Sequence, residues 1–149
     1  MNLKAINYGD YLMQYKIKPS YLRIKIIEYL AENKNHPSVD QIFKELSTEV
    51  PTLSKTTVYN SLKLFVEKGA CSTVNLDETT ARFDFQTKLH GHFLCEECCQ
   101  IYDFQAELNS SYNELEDFDI KGMELSFKGV CKTCKQKKAE DIKNEFKRN

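Results

Sequence analysis

Apolar positions in the first half of the chain recur at helical spacing. Leu3, Ile6, Tyr11, Leu12 and Tyr15 predict a short amphipathic opening helix. Pro19 and Ser20 punctuate it. Ser20 can N-cap a second helix whose stripe is Leu22, Ile26, Ile27, Tyr29 and Leu30. The run Asn33-Lys34-Asn35-His36-Pro37 breaks that helix. Ser38 with Gln41 three positions on forms a capping box for a third, carrying Val39, Ile42, Phe43 and Leu46. Val50-Pro51 closes it. Ser54 caps a fourth helix, with Val58, Leu62, Leu64 and Phe65 inward and Lys55, Thr57, Asn60 and Lys63 outward, and Gly69 is its stop.

The pattern then changes to alternation. Residues 72–76 and 81–86 read as two strands of a hairpin around the polar tip Asp77-Glu78-Thr79-Thr80. Helices followed by a two-stranded ribbon is the winged-helix order, in which the last helix would enter a major groove. Beyond a boundary near residues 86–89, residues 90–94 and 100–104 predict short strands, 106–115 a helix and 118–130 a longer strand. Residues 132–147 predict a basic helix or a frayed tail. The expected class is α+β: a winged-helix domain over residues 1–86, then a small α/β domain over 87–149.

Composition narrows the function. Of 149 residues, 41% are hydrophobic and 29% charged, which excludes global disorder. No apolar run approaches the roughly 20 residues that span a bilayer. The first 15 residues lack a basic start followed by an apolar block, so no membrane partner is expected and the cytoplasm is the default location. The net charge of −1 conceals an asymmetry. Residues 1–70 hold ten basic against seven acidic side chains, and residues 132–149 seven against three, so the middle is strongly acidic. For a nucleic-acid binder, the placement of charge matters more than the total.

Six cysteines need a role. Cys95-x2-Cys98 and Cys131-x2-Cys134 are two chelating pairs, 32 residues apart. Two intervening residues let both sulfurs of a pair reach one ion, and four thiolates close a tetrahedral zinc shell with no position left for substrate. Such a zinc is structural, and its binding energy becomes folding energy. The competing reading is two redox dithiols, but a thioredoxin-like site needs a βαβ unit beside one CxxC, and none is patterned here. Cys71 fits a small core residue. Cys99 is either inert or interchangeable with Cys98.

The chain has three histidines, His36, His90 and His92. His90 and His92 share a face if they lie on a strand. Asp84 and Asp103 each sit between apolar neighbours, in Arg82-Phe-Asp-Phe and Ile101-Tyr-Asp-Phe. A carboxylate so placed is paired or ligating. Mixed imidazole and carboxylate donors suit Fe(II), Mn(II) or Zn(II).

Taken together, His36-Pro-Ser-Val-Asp40, Ser54-Lys-Thr-Thr-Val-Tyr-Asn60, Arg82-Phe-Asp-Phe85, His90-Gly-His92-Phe-Leu-Cys95 and the second CxxC resemble the ferric uptake regulator (Fur) family of bacterial metal-dependent repressors. The similarity runs from about Lys18 to Cys134, and it is nearest to the peroxide-sensing (PerR) branch. The resemblance implies a homodimer on palindromic double-stranded operator DNA, with residues 87–149 as the dimerisation and metal-binding domain. It implies structural zinc on Cys95, Cys98, Cys131 and Cys134. It also implies regulatory Fe(II) or Mn(II) on His36, Asp84, His90, His92 and Asp103, where iron-sensing members tend to carry Glu in place of the two Asp. Gly91 and the absence of His from residues 123–130 imply that a further site common in iron sensors is lost. Cys71 does not match the cysteine that zinc sensors recruit. Two departures stand out: Tyr21-Leu-Arg23 replaces the usual Pro-Gln-Arg, and Cys99 replaces a Gly.

On this footing Tyr59 and Asn60 would read bases, Asn suiting adenine. Arg23, Lys55, Thr56 and Lys63 would contact phosphates, with Thr57 on the same helix surface. An ion holding all five His and Asp donors would join the two halves. In the peroxide branch, bound Fe(II) leads to oxidation of a ligand histidine, implying His36 or His90. The competing functions are iron or zinc sensing, a small non-haem metalloenzyme, and a zinc-stapled interaction module without DNA. A repressor, not an enzyme, is expected.

Overall fold

Each helix of the N-terminal half begins where a side chain satisfies its first backbone N–H groups. In the computed structural model, which describes residues 6–76, 79–106 and 112–148, α1 spans Tyr8–Gln14 and the Asn7 carboxamide accepts from the N–H groups of Gly9 and Asp10. The opening helix therefore starts later than its apolar pattern suggested. Ile6 precedes the cap, and Leu3 lies outside the described residues. Ser20 caps α2 (Tyr21–Glu32) through the N–H of Arg23. Ser38 caps α3 (Val39–Leu46), and Gln41 closes the reciprocal capping box. Ser54 caps α4 (Lys55–Lys68), which ends on Gly69 in the left-handed conformation at φ 78°. That conformation costs glycine no steric strain.

The first of two compact units, Met1–Thr87, is completed by the antiparallel strands β1 (Ser72–Val74) and β2 (Arg82–Asp84), registered Ser72↔Asp84 to Val74↔Arg82. Both strands are shorter than the alternation predicted, and tip residues Asp77 and Glu78 lie outside the described residues. The core beneath comprises Leu12, Ile26, Ile27, Leu30, Ile42, Val58, Leu62 and Phe65, all buried, with Phe83 of β2 packed on it. Leu64, expected inward, is only partly buried. At about 1.5–3 kcal/mol for each fully buried large side chain, this core carries the unit's stability.

The second unit, Lys88–Asn149, is a three-stranded sheet in the order β4-β3-β5, where β3 is Gly91–Cys95, β4 is Ile101–Phe104 and β5 is Leu125–Gly129. β3 pairs antiparallel with β4 and parallel with β5. The longer strand expected over residues 118–130 is corrected here to five residues. β3 offers partners only from Gly91↔Leu125 to Cys95↔Gly129, and alternation without a ladder to pair with does not make a strand. Phe118 and Ile120 are accordingly 65% and 60% exposed. Half of the helix expected over 106–115, residues 107–111, lies outside the described residues, and Asn113–Leu115 forms a single 3₁₀ turn. α5 (Lys132–Arg148) is a full helix rather than a frayed tail. Among the described residues, no helix is long and apolar enough to cross a membrane.

Candidate metal centres and nucleic-acid interface

The parallel ladder explains how cysteines far apart in sequence meet. Cys95 ends β3 opposite Gly129 of β5, so Cys131 follows two residues later and Cys134 lies in the first turn of α5. The N–H of Glu96 donates to the Gly129 carbonyl at 2.8 Å, and Cys99 N–H closes the turn onto the Cys95 carbonyl at 2.9 Å. One sulfur from each of Cys95, Cys98, Cys131 and Cys134 lies within 4.8 Å of the others. Zinc–sulfur bonds of about 2.3 Å at tetrahedral angles put sulfurs about 3.8 Å apart. The Cys98 and Cys131 sulfurs are 3.9 Å apart, far beyond a disulfide bond. All six cysteines are free thiols.

The protonation pattern points the same way. Backbone N–H groups, that of Cys131 first at 3.3 Å from the sulfur, hold the Cys95 thiol down to about 6. The Cys131 thiol is also lowered, chiefly by a backbone hydrogen bond from Cys134. Cys134 is pushed up to about 12, because its proton is shared with the Cys131 sulfur. The shifts favour the thiolate at Cys95 and Cys131, where backbone N–H groups point at the sulfurs. The residues fit structural zinc. Cys99 occupies φ 57° in this turn, a conformation glycine takes freely, which explains why the family resemblance implies Gly there.

The histidines and aspartates fall into two sets, one in each unit. In the first unit, His36 sits between α2 and α3 with φ 49°, is 3% exposed, and directs Nε2 to 3.5 Å from Asp84 Oδ2. A left-handed non-glycine residue costs about 1–3 kcal/mol and persists only where surrounding structure holds it. Asp84 is itself oriented, since its Oδ1 accepts the Gln86 N–H at 2.9 Å.

In the second unit, register does the positioning. His92 on β3 lies directly opposite Asp103 on β4, and their Nε2 and Oδ1 are 3.6 Å apart. His90 Nε2 lies 3.8 Å from the same oxygen. The two imidazoles meet edge-on with centroids 4.4 Å apart, as their two-residue spacing on one strand face predicted. His90 Nδ1 is 2.7 Å from the Lys88 carbonyl. That acceptor requires the proton on Nδ1 and leaves the Nε2 lone pair for a ligand. Gly91 between them leaves room for its neighbour: a Cβ there would come within 2.1 Å of the Phe104 ring, which would have to move. No acid can stand at this position without displacing that ring. Both sets present imidazole nitrogens converging on carboxylate oxygens, which fits a regulatory divalent metal.

The residues expected to touch DNA lie along one helix and one helix start. Lys55, Thr56, Tyr59, Asn60 and Lys63 of α4 are exposed and Thr57 is half-buried. Tyr59 is 54% exposed, unusual for an aromatic side chain without a partner to cover. Lys55 is paired with Asp40 at 2.6 Å, so a phosphate would compete for it. Arg23 donates to the Lys18 carbonyl at 2.7 Å. It lines a groove with Lys18, Ser20, Thr57, Asn60 and Ser61. Sequence reasoning missed Lys18 and Ser61, because nothing in their spacing links α2 to α4.

Residues 14–128 match the ferric uptake regulator family. The chain belongs to that family. Among curated relatives, the peroxide-responsive repressor PerR of Staphylococcus aureus (strain Mu50 / ATCC 700699) is 35% identical over 130 residues, covering 85% of this chain and 88% of the relative. Among solved structures, the Vibrio cholerae ferric uptake regulator superposes with a TM-score of 0.66 at 21% identity, covering 84% of this chain and all of the other. The Pseudomonas aeruginosa ferric uptake regulator, solved with manganese, superposes with a TM-score of 0.66 at 21% identity, over 85% and 99% of the two chains. These structures establish a ferric uptake regulator fold. The chain is a metal-dependent regulator of this family, with four thiolates suited to structural zinc and His/Asp donors suited to a regulatory metal.

Proposed function

We propose that this ferric uptake regulator family member is a cytoplasmic, homodimeric repressor that binds a palindromic operator when a divalent metal is bound and releases it on exposure to hydrogen peroxide. The observation that carries the reading is the donor chemistry: every histidine of the chain faces an aspartate, His36 with Asp84 and His90 and His92 with Asp103. Sequence similarity to a peroxide-responsive repressor supports the sensing class.

In this reading the five side chains serve one regulatory ion, Fe(II) or Mn(II). Drawing donors from both units makes occupancy select one relative arrangement of the DNA-binding and dimerisation domains. Two recognition helices then match operator half-sites about one helical turn apart. Shifting a population from mostly released to mostly bound takes differential metal affinity of about 5 kcal/mol. Fe(II) held by these side chains would supply the redox chemistry by which hydrogen peroxide, itself reduced to water, leaves one oxygen atom on the His36 or His90 ring. The buried His36 ring and the hydrogen-bonded His90 ring are held in place for that outcome. Asn60 and Tyr59 read bases, while Arg23, Lys55, Thr56, Thr57 and Lys63 anchor the backbone.

The test combines gel shift with intact-mass spectrometry. Operator fragments should be bound with Mn(II) or anaerobic Fe(II). Peroxide should release only the Fe(II) form, with one oxygen gained on His36 or His90. Equal retention by both forms, or oxygen gained only on cysteine, would overturn the peroxide reading. Release by iron withdrawal alone would mark an iron sensor.

A further inference from the structure

Three consecutive residues of β2 grip the two-residue segment His36-Pro37. Arg82 Nη1 donates to the His36 carbonyl at 3.4 Å, Phe83 N–H donates to the Pro37 carbonyl at 3.1 Å, and the Asp84 carboxylate faces the His36 ring at 3.5 Å. Arg82 and Asp84 are two apart on a strand, so they approach His36 from the same sheet face. The Arg82 Nη1 also donates to Gln41 Oε1 at 3.2 Å. That same oxygen accepts the Ser38 N–H at 2.9 Å, the reciprocal half of the α3 capping box. One guanidinium thus joins β2, the start of α3 and the backbone of His36.

We propose that Arg82 is a positioning residue for the regulatory metal, locking His36 in its left-handed conformation so that its imidazole meets Asp84. This rests on the regulatory-site reading above. Residues before proline favour extended backbone, and a left-handed φ of 49° runs against that preference. A carbonyl clamped from the β2 side is what the strained geometry requires. Stability alone does not account for an arginine here. A cation beside the first turn of α3 opposes the helix dipole. Its Nε is buried and has no hydrogen-bond partner among the described residues. The guanidinium reaches two acceptors at once, which a lysine ammonium matches only in part.

Metal titration of the zinc-loaded protein tests this, with wild type, Arg82→Ala, Arg82→Lys, Gln41→Ala and the core variant Leu30→Ala compared. The probes are Mn(II) for affinity and Co(II) for the ligand-field spectrum. Arg82→Ala should keep its zinc, lose about 10–100-fold in Mn(II) affinity, as loss of groups that orient metal ligands does, and alter the Co(II) bands. Arg82→Lys should recover part of the affinity, and Gln41→Ala should shift it in the same direction by less. Leu30→Ala should lower the melting temperature without altering the Co(II) spectrum. Unchanged metal affinity in Arg82→Ala, or the same spectral change in Leu30→Ala, overturns this inference alone. A wild type that binds no metal beyond zinc overturns the regulatory-site reading and this inference with it. Should Arg82→Ala fail to fold, Arg82→Lys and Gln41→Ala decide by the same criteria.

Discussion

His92 and Asp103 face each other directly across β3 and β4, their Nε2 and Oδ1 3.6 Å apart. Asp103 also serves His90, at 3.8 Å, so one carboxylate organises both imidazoles of the second unit. Asp103→Asn keeps the shape and removes the charge. If Asp103 is a ligand of the proposed regulatory site, Mn(II) affinity should fall at least about tenfold while zinc stays at one per chain, because losing a direct ligand costs no less than losing a group that orients one. Isothermal titration with parallel metal analysis reads both numbers.

Cys131 is buried, and its N–H and sulfur both belong to the thiolate cluster. Cys131→Ser should abolish zinc retention and with it the β3–β5 pairing, since metal free energy in such sites is folding free energy. Hydrogen exchange should show protection lost over Leu125–Gly129 and retained in α2 and α4. Retained zinc with intact protection would contradict the four-thiolate assignment.

Gly91→Ala should destabilise the second unit by about 1–3 kcal/mol, the usual cost of overpacking, because the new methyl would meet the Phe104 ring. The double variant Gly91→Ala/Phe104→Leu should recover most of the loss in urea unfolding. Additive losses would show that the ring is not the obstacle.

Burial, with Asp84 nearby, pushes the Cys71 thiol up to about 12 from an ordinary value near 9. The unfolded chain therefore gives up this proton at lower pH than the native protein. The contribution is intact below pH 9 and is lost as pH rises from about 9 toward 12. Between pH 7.5 and 10 the urea midpoint of wild type should fall more than that of Cys71→Ala. In the native protein at pH 8, Cys71 should resist iodoacetamide.

Asn60 is exposed on α4. Asn60→Ala should weaken operator binding by about 1–3 kcal/mol and relax discrimination at one base pair, with Mn(II) affinity unchanged. A competition gel shift against base-substituted operators measures this. Uniform weakening across all sequences would mark Asn60 as a phosphate contact instead.

Local chemistry was the legible part of this chain. Ser20, Ser38, Ser54 and Gly69 each cap a helix where their residue types predicted, because a cap is decided within four residues. The two CxxC pairs and the His/Asp sets were also readable, as ligand chemistry limits which residues can serve. Pairing between distant segments was not. The stretch 118–130 carries enough alternation for a long strand, yet only the five residues that β3 can receive form one. The Arg82 contacts to His36 and Gln41 span 46 and 41 positions, and no periodicity encodes such a meeting.

The central strand of the second unit is the first to leave the ribosome. β3 emerges with Cys95 and Cys98, but its parallel neighbour and the other two sulfurs are made more than thirty residues later. During synthesis the first thiol pair waits, exposed to oxidants and foreign metals, until Leu125–Gly129 arrives alongside. Zinc capture by all four thiols thus waits until the second pair has been made. A cell short of zinc should accumulate chains whose helical half is finished and whose sheet is open to proteases.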